Sequence, residues 1–339
     1  MQSVFVSRER TGHGSIECAM RILLLALAVS AMGCGLTSYE KAAGQFGSAT
    51  AAAVTATRSV VGSAHETCRF RAALHLVEAR FQAPEFVRGT DAMALSSGVS
   101  TADGKGKLTW GEYCQQLTDY DRALIGALSA LDAYASTLKS VAVGDGAAIQ
   151  TGVAGALAAD AGDLGNSLGA SSLAKAKDLS GPVTDLANVV LDLIRTKKLK
   201  DAIRRGSGPV HSVLRGWDEY LGAAKLQLGD AERLRKQLVR NADAIIPVRG
   251  EGEALPRDLP GQALALYEFE RLERDRVQSM MAAIESTEKL VAALAEAHAE
   301  LAKGTEAGVT DEGVREFVAK KAQEIMKQVN VLRALSARG

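Results

Sequence analysis

Apolar residues recur every three or four positions along most of this chain, a spacing that places them on one face of an α-helix. The clearest run continues without a miss through Leu117, Tyr120, Leu124, Ala127, Leu131, Tyr134, Leu138 and Val141. Such regularity is typical of long helices that pack against one another. Strict alternation of apolar and polar residues, which indicates a half-buried strand, is scarce. The pattern predicts an all-α fold, an elongated antiparallel helical bundle with coiled-coil-like long helices.

Six major helices are expected, with proline, glycine and capping residues at their ends. They cover residues 37–82, the run after a capping box at Thr109 and Glu112, and residues 182–205, 209–247, 261–303 and 311–336. Pro182 and Pro209 each stand where a helix favours its first residue. Gly206 and Gly208 are expected to end the third helix, and the basic residues of 195–205 suit its C-terminus.

Two segments interrupt the helical pattern. Residues 83–109 are rich in Gly, Ser, Asp and Thr, and we expect an irregular loop there. Residues 144–180 are small and glycine-rich, which favours tight helix packing. The alternative is a membrane-inserting hairpin within residues 144–176, loosely as in helical pore-forming toxins. Three aspartates in that segment count against insertion, because each charge in lipid costs about 2.5–3.5 kcal/mol.

Composition narrows the possible functions. The chain has 40 Lys and Arg residues against 40 Asp and Glu residues, so its formal net charge is zero. A neutral chain has no electrostatic basis for binding nucleic acid. Aromatic residues make up only 4 % of the chain, which also weakens any platform for base stacking. Abundant alanine favours helix and predicts closely spaced helices with a thin core.

The most informative short segment is residues 20–34. Arg21 precedes eleven uncharged residues, 22–32, which are too few to span a bilayer because a spanning helix needs about 20. They fit the apolar core of an export signal. Small residues then lead through Gly33 to Cys34. This ending resembles the lipobox of bacterial lipoproteins, although Ala31 stands where Leu is usual.

The resemblance implies diacylglycerol on the Cys34 sulfur, cleavage before that residue and acylation of the new amino terminus. Residues 1–33 are then a signal peptide, and residues 34–339 are the mature helical domain. Met20 is a natural start for such a signal, so residues 1–19 are interpreted as a misassigned start. An ordinary cleaved signal, or a buried N-terminal helix, is the alternative.

The resemblance also predicts a location. Several acyl chains hold a protein on a bilayer durably, whereas one chain binds only marginally. Gly35, rather than Asp, follows the cysteine. By resemblance to lipoprotein sorting in Gram-negative bacteria, this implies the outer membrane. We expect the remaining chain to face the periplasm.

Two further cysteines lie in the mature domain, Cys68 and Cys114. In an oxidising periplasm such a pair is a candidate disulfide. The alternative is two separately buried thiols, because cysteine also behaves as a small apolar residue.

Residues 101–112 resemble an EF-hand calcium loop at four positions, which are Asp103, Gly106, Leu108 and Glu112. Thr101 replaces the usual Asp, however, and Lys105 places an ammonium group where an oxygen ligand belongs. Asp103 and Glu112 are therefore weak calcium candidates, and a polar capped loop is expected instead.

No pattern points to catalysis or to a cofactor. The chain has no Glu-x-x-His pair of the kind that binds metals in helical bundles. Gly165, Ser167 and Gly169 match the letters of a Gly-x-Ser-x-Gly nucleophile elbow, but the glycines of residues 162–169 do not follow a predicted strand, as an elbow requires. Acidic pairs such as Asp119 and Asp121 are expected on solvated faces, and His298 at the edge of the core. We therefore expect a non-enzymatic lipoprotein that acts as a spacer, adaptor or protein-binding module, with another envelope protein as its partner.

Overall fold

Seven α-helices account for most of the chain that the structure describes. The structure is a computed structural model, and it describes residues 37–58, 60–82, 91–100, 106–144, 179–245, 259–306 and 308–337. The helices are α1 Ser38–Thr57, α2 Ser63–Gln82, α3 Trp110–Val143, α4 Ser180–Thr196, α5 Leu199–Ile245, α6 Leu259–Lys303 and α7 Asp311–Ser336. The predicted all-α bundle is confirmed, while its coiled-coil-like character stays a prediction.

The helices pack in a connected set around α3 and α5. Helix α1 contacts α3, α6 and α7, while α5 contacts α2, α3, α4 and α6. The α1–α3 pair is antiparallel, because Gly47 lies beside Ala135 whereas Gly62, just after α1, is hydrogen-bonded to Asp121. The α6–α7 pair is also antiparallel, and Lys321 Nζ lies 2.7 Å from Glu296 Oε2 across it.

Alanine makes the contact between α1 and α3 close, as the composition suggests. Ala42, Ala43 and Ala53 of α1 and Ala127 of α3 are fully buried. Larger side chains fill the centre of the bundle, among them Trp217, Tyr134, Tyr220, Phe46 and Leu124. The core therefore combines a thin alanine-lined seam with a few bulky aromatic residues.

Gly47 marks the closest approach in that seam. A Cβ atom at this position would lie against the Ala135 carbonyl oxygen and 2.9 Å from Lys139 Cβ. Because the obstruction includes backbone, we expect Gly47→Ala to lower the free energy of unfolding by about 2 kcal/mol through overpacking. Urea denaturation measures this change.

Gly44, in the same helix, is the matched control. Nothing lies within 4 Å of a Cβ atom added there. Gly44→Ala should therefore leave stability unchanged or raise it by about 0.5–1 kcal/mol, since alanine favours helix over glycine. Equal effects of the two substitutions would contradict the close approach at Gly47.

The single helix predicted over residues 37–82 is wrong, because the chain forms two helices there. Helix α1 ends at Thr57, and α2 begins at Ser63. Gly62 between them has a φ of +99°, a left-handed conformation that glycine adopts without strain. Its N–H donates to the Tyr220 hydroxyl at 3.0 Å, so a distant helix stabilises the break.

The predicted boundary at Gly206, Gly208 and Pro209 is also wrong. Helix α5 runs through all three, and the chain turns earlier, at Lys197. Residues 199–208 are helical because that conformation buries Ala202 and Ile203 completely. A Cβ atom at Gly206 would lie 2.7 Å from the Tyr134 hydroxyl oxygen, so glycine lets α5 approach α3 there.

The irregular segment predicted over residues 83–109 contains a small hairpin. A 3₁₀ turn at Ala92–Ala94 leads to strand β1, Ser96–Ser100, which pairs antiparallel with β2, Lys107–Thr109. The register pairs Ser96 with Thr109 and Ser100 with Lys107. Most of the glycine-rich segment 144–180 lies outside the described residues. Gly144, at its start, is the left-handed cap of α3.

Candidate functional site

The predicted lipid-bearing residue, Cys34, lies outside the described residues, as do residues 1–33. The described part of the chain begins at Thr37. Two hydrogen bonds then fix the start of α1 to other helices. Ser38 Oγ donates to Glu312 Oε2 at 2.7 Å. The buried Tyr39 hydroxyl donates to the Leu301 carbonyl oxygen at 2.8 Å. The first described helix is thus fixed to both α6 and α7.

A disulfide bond joins Cys68 of α2 to Cys114 of α3, 46 residues apart in sequence. These are the two cysteines that the sequence offers as partners. Both are buried, at 0 % and 1 % exposure, among Ala72, Trp110 and Leu117. The bond links α2 to α3 across the segment that contains the hairpin.

A cation–aromatic cluster is built around Trp110, which packs beside the disulfide. The Arg71 guanidinium carbon lies 5.2 Å from the centroid of the Trp110 ring, and the His75 ring stacks on Trp110 at 5.2 Å. Arg71 also donates to Gln227 Oε1 at 2.8 Å and lies 3.1 Å from Asp230 Oδ2. Arg71 therefore connects α2, α3 and α5 at one place.

Sequence reasoning did not predict this cluster. Its members come from three helices, and each residue fits the ordinary surface pattern of its own helix. Tyr113 lies three residues after Trp110 in α3. Its hydroxyl accepts a hydrogen bond from Gln227 Nε2, which adds a second contact between this cluster and α5. Only Trp110, directly after the capping threonine, carried a local signal, because a large aromatic residue favours burial.

Of the two calcium candidates, the structure describes only Glu112. Asp103 lies outside the described residues. Glu112 belongs to the capping box of α3, where its Oε2 accepts hydrogen bonds from Thr109 N at 2.8 Å and Thr109 Oγ1 at 3.0 Å. These bonds lower the pKa of the Glu112 carboxyl. The predicted capping box is confirmed, and it occupies this carboxylate within the protein.

His298 of α6 lies inside the core, with only 3 % exposure, and not at its edge as the sequence suggested. Its Nε2 lies 3.0 Å from the Tyr134 hydroxyl oxygen. Its ring meets the Phe46 ring edge to face, with centroids 5.3 Å apart. Burial lowers the pKa of His298 to about 4, so the imidazole is neutral at pH 7.

A second polar cluster surrounds Asp121 of α3, which is buried rather than solvated as predicted. The carboxyl is hydrogen-bonded to the Tyr220 hydroxyl and the Gly62 backbone, while its Oδ1 has no partner within the described part of the chain. Burial raises the pKa of Asp121 above its usual range. The cluster joins α3, α5 and the break between α1 and α2.

Two kinds of site are absent from the described residues. No group of three or more His, Cys, Asp and Glu side chains there could hold a metal ion. Among the helices described, none combines the length and the apolar character that crossing a bilayer requires.

Known proteins assign no role to these clusters. Comparison with protein-family models, with curated proteins and with solved structures finds no match to this chain. Its function therefore has to be inferred from the N-terminal pattern, the disulfide and the arrangement of the helices.

Proposed function

We propose that this chain is an exported lipoprotein in which acylated Cys34 anchors a periplasmic helical bundle to the outer membrane. The bundle acts as a spacer, adaptor or protein-binding module and not as an enzyme. The observation that carries the proposal is the buried disulfide between Cys68 and Cys114. Disulfides persist in oxidising compartments such as the bacterial periplasm, which is where the N-terminal pattern directs the chain.

The position of α1 supports an anchor close to the bundle. Helix α1 begins at Ser38, four residues after Cys34. Four extended residues reach at most about 14 Å, so the lipid and the first helix are close neighbours. A short connection of this kind keeps an anchored bundle close to the membrane rather than at the end of a long tether.

Helix length supports a spacer or adaptor role. Helices α5 and α6 contain 47 and 45 residues. At 1.5 Å per residue each extends for about 70 Å, which provides long continuous surfaces for contact with another protein.

The buried polar groups described above join helices to one another. Tyr134 and His298 link α3 to α6, and Arg71 links α2 to α3 and α5.

Replacing the lipid-bearing residue tests the anchor. We expect Cys34→Ala to abolish incorporation of labelled palmitate and to move the protein from the membrane fraction to the soluble fraction. Its helical circular dichroism should not change, because the compact unit begins at Ser38. Cell fractionation followed by mass spectrometry of the N-terminal peptide measures both effects.

Cys18→Ala is the matched control, because Cys18 precedes the predicted cleavage site and should be absent from the mature chain. This variant should be acylated and fractionate like the natural protein. Unchanged membrane fractionation of Cys34→Ala, or an unmodified sulfur at Cys34, would contradict the anchor.

In-cell crosslinking tests the adaptor role. Leu226 of α5 is 73 % exposed, unusually open for a leucine, and offers a site for a photoreactive residue. A crosslinked envelope protein that is identified by mass spectrometry, and lost in Cys34→Ala cells, would support the role. Capture that does not depend on Cys34 would count against it.

A further inference from the structure

Three separate segments meet at the end of the bundle where α1 begins. Lys200, at the start of α5, places its Nζ 4.6 Å from the centroid of the Tyr39 ring and 3.1 Å from Asp311 Oδ1. Ser38 is hydrogen-bonded to Glu312 of α7. The start of α1, the turn between α4 and α5 and the start of α7 are therefore neighbours. We call this region the anchor end.

The turn between α4 and α5 is strongly basic. Arg195, Lys197 and Lys198 are exposed, and none of the three forms an ion pair with another described residue. We call these three residues the basic corner. The other cations nearby are paired, Lys200 with Asp311, Arg204 with Asp201 and Arg205 with Asp192.

Acidic side chains at the same end do not neutralise the basic corner. Asp311 is paired with Lys200, and Glu312 with Arg315 and with the Ser38 hydroxyl. The corner therefore presents three positive charges to solvent beside the helix that leads back to Cys34.

The backbone at the corner is unusual. Lys197 has a φ of +54°, the only positive value among the described residues other than glycine. Glycine is favoured at such a helix end because a side chain is strained there. Since a lysine occupies this position, its charge can be removed by a substitution that also relieves strain.

We propose that the basic corner binds the headgroups of anionic phospholipids in the membrane that carries the anchor. This rests on the proposed acylation of Cys34, because the chain between Cys34 and Ser38 then keeps Ser38 no farther than about 14 Å from the lipid surface and allows it to come closer. Attraction between basic residues and an anionic surface extends over about one Debye length, about 8 Å at physiological ionic strength. The occupant is a lipid surface because the anchor holds one close to these charges. Bound in this way, the bundle stands with its anchor end against the membrane.

The test uses residues 35–339, which carry no acyl group and keep the whole compact unit that begins at Ser38. Vesicles of phosphatidylcholine, alone or mixed with phosphatidylglycerol, are sedimented with the protein at low ionic strength. We expect binding to the mixed vesicles only. In Arg195→Gln/Lys197→Gln/Lys198→Gln this binding should fall about 100-fold, since each basic residue contributes about 1 kcal/mol near an anionic surface.

The control removes three exposed charges from the distant part of α5, in Arg233→Gln/Lys236→Gln/Arg240→Gln. Arg233 and Lys236 are paired with Asp230 and Glu232, unlike the residues of the basic corner. Full binding by this variant supports the corner, because the net charge of the two variants is the same. An equal loss in both variants, or equal binding to phosphatidylcholine alone, would overturn the proposal.

Lys197→Gly separates charge from folding. It should weaken vesicle binding about five-fold while leaving the Tm unchanged or higher, because glycine suits the left-handed conformation. Unchanged vesicle binding by this variant would exclude Lys197 from the membrane contact. The protein in the vesicle assay carries no acyl group, so a failure to bind vesicles would refute the corner and leave the anchor standing. An unmodified Cys34 in cells would refute the anchor without changing the vesicle result.

Discussion

Reduction of the Cys68–Cys114 bond is expected to lower the free energy of unfolding by about 4 kcal/mol. The bond closes a loop of 46 residues, and the cross-link lowers the conformational entropy of the unfolded chain. Urea denaturation with and without a thiol reductant measures the difference. Reduction keeps both sulfur atoms, so the change reports the cross-link rather than a cavity.

The double variant Cys68→Ala/Cys114→Ala provides the control. It cannot form the bond, so reductant should not alter its unfolding curve. A reductant effect that persists in this variant would assign the effect to another group. If the natural protein is unaffected by reductant, the bond does not stabilise the fold, and the support that it gives to the proposed export is lost.

The loss of stability on reduction is expected to be greatest near the disulfide. The loop closed by the bond contains the end of α2, the 3₁₀ turn and the hairpin. Within the described residues, the main helix contacts of the turn are with α2 and α3, and those of the hairpin are with α3. We expect hydrogen exchange at the hairpin, which includes Leu108, to accelerate on reduction. Exchange in α7, which packs mainly against α1 and α6, should change little.

Local signals predicted some helix ends well. The last helix was expected over residues 311–336, and α7 has these bounds. Its cap is local, because the Thr310 hydroxyl accepts a hydrogen bond from the Gly313 N–H. The same holds for α3, where Thr109 and Glu112 cap each other within four residues. Where the residues that end a helix are neighbours in sequence, a single sequence is enough to find them.

Other helix ends depend on distant residues. The break after α1 is held by Tyr220, 158 residues beyond Gly62. The continuation of α5 through Pro209 depends on the burial of Ala202 and Ile203, although proline usually disrupts a helix. Tertiary packing outweighed local preference at both places, and no spacing rule within one helix could have shown it.

Some features of the candidate sites could likewise be predicted from the sequence, and others depend on residues that are distant in sequence. Cys68 and Cys114 could be proposed as a pair from sequence because they are the only two cysteines that follow Cys34. The contact of Arg71 with Trp110 could not be predicted, because the two residues lie on different helices and each is common on a helix face. Burial of Asp121 was likewise missed, because its partners Tyr220 and Gly62 are far apart in sequence.

Acid should destabilise the bundle through His298. Burial lowers the pKa of this residue from 6.5 to about 4 in the folded protein, so folding favours the neutral imidazole. The stabilisation that the neutral form provides is fully present above pH 6.5 and is lost as the pH falls toward 4. Since one pKa unit corresponds to about 1.4 kcal/mol, the loss amounts to about 3 kcal/mol.

Two carboxyl groups, the buried Asp121 and the half-buried Asp132, act in the opposite direction. Burial raises the pKa of both Asp121 and Asp132, so their contribution to stability is greatest at low pH and declines as the pH rises. Total stability therefore mixes opposing effects. The contribution of His298 has to be measured as a difference between variants.

His298→Gln supplies that difference, because glutamine does not titrate and can still hydrogen-bond to the Tyr134 hydroxyl. We expect this variant to lose about 3 kcal/mol less than the natural protein between pH 6.5 and pH 4. His211→Gln, on the exposed face of α5, should reproduce the pH dependence of the natural protein. If the stability of His298→Gln shows the same pH dependence as that of the natural protein, protonation of His298 does not destabilise the fold. The contact with Tyr134 would then accommodate a charged imidazolium.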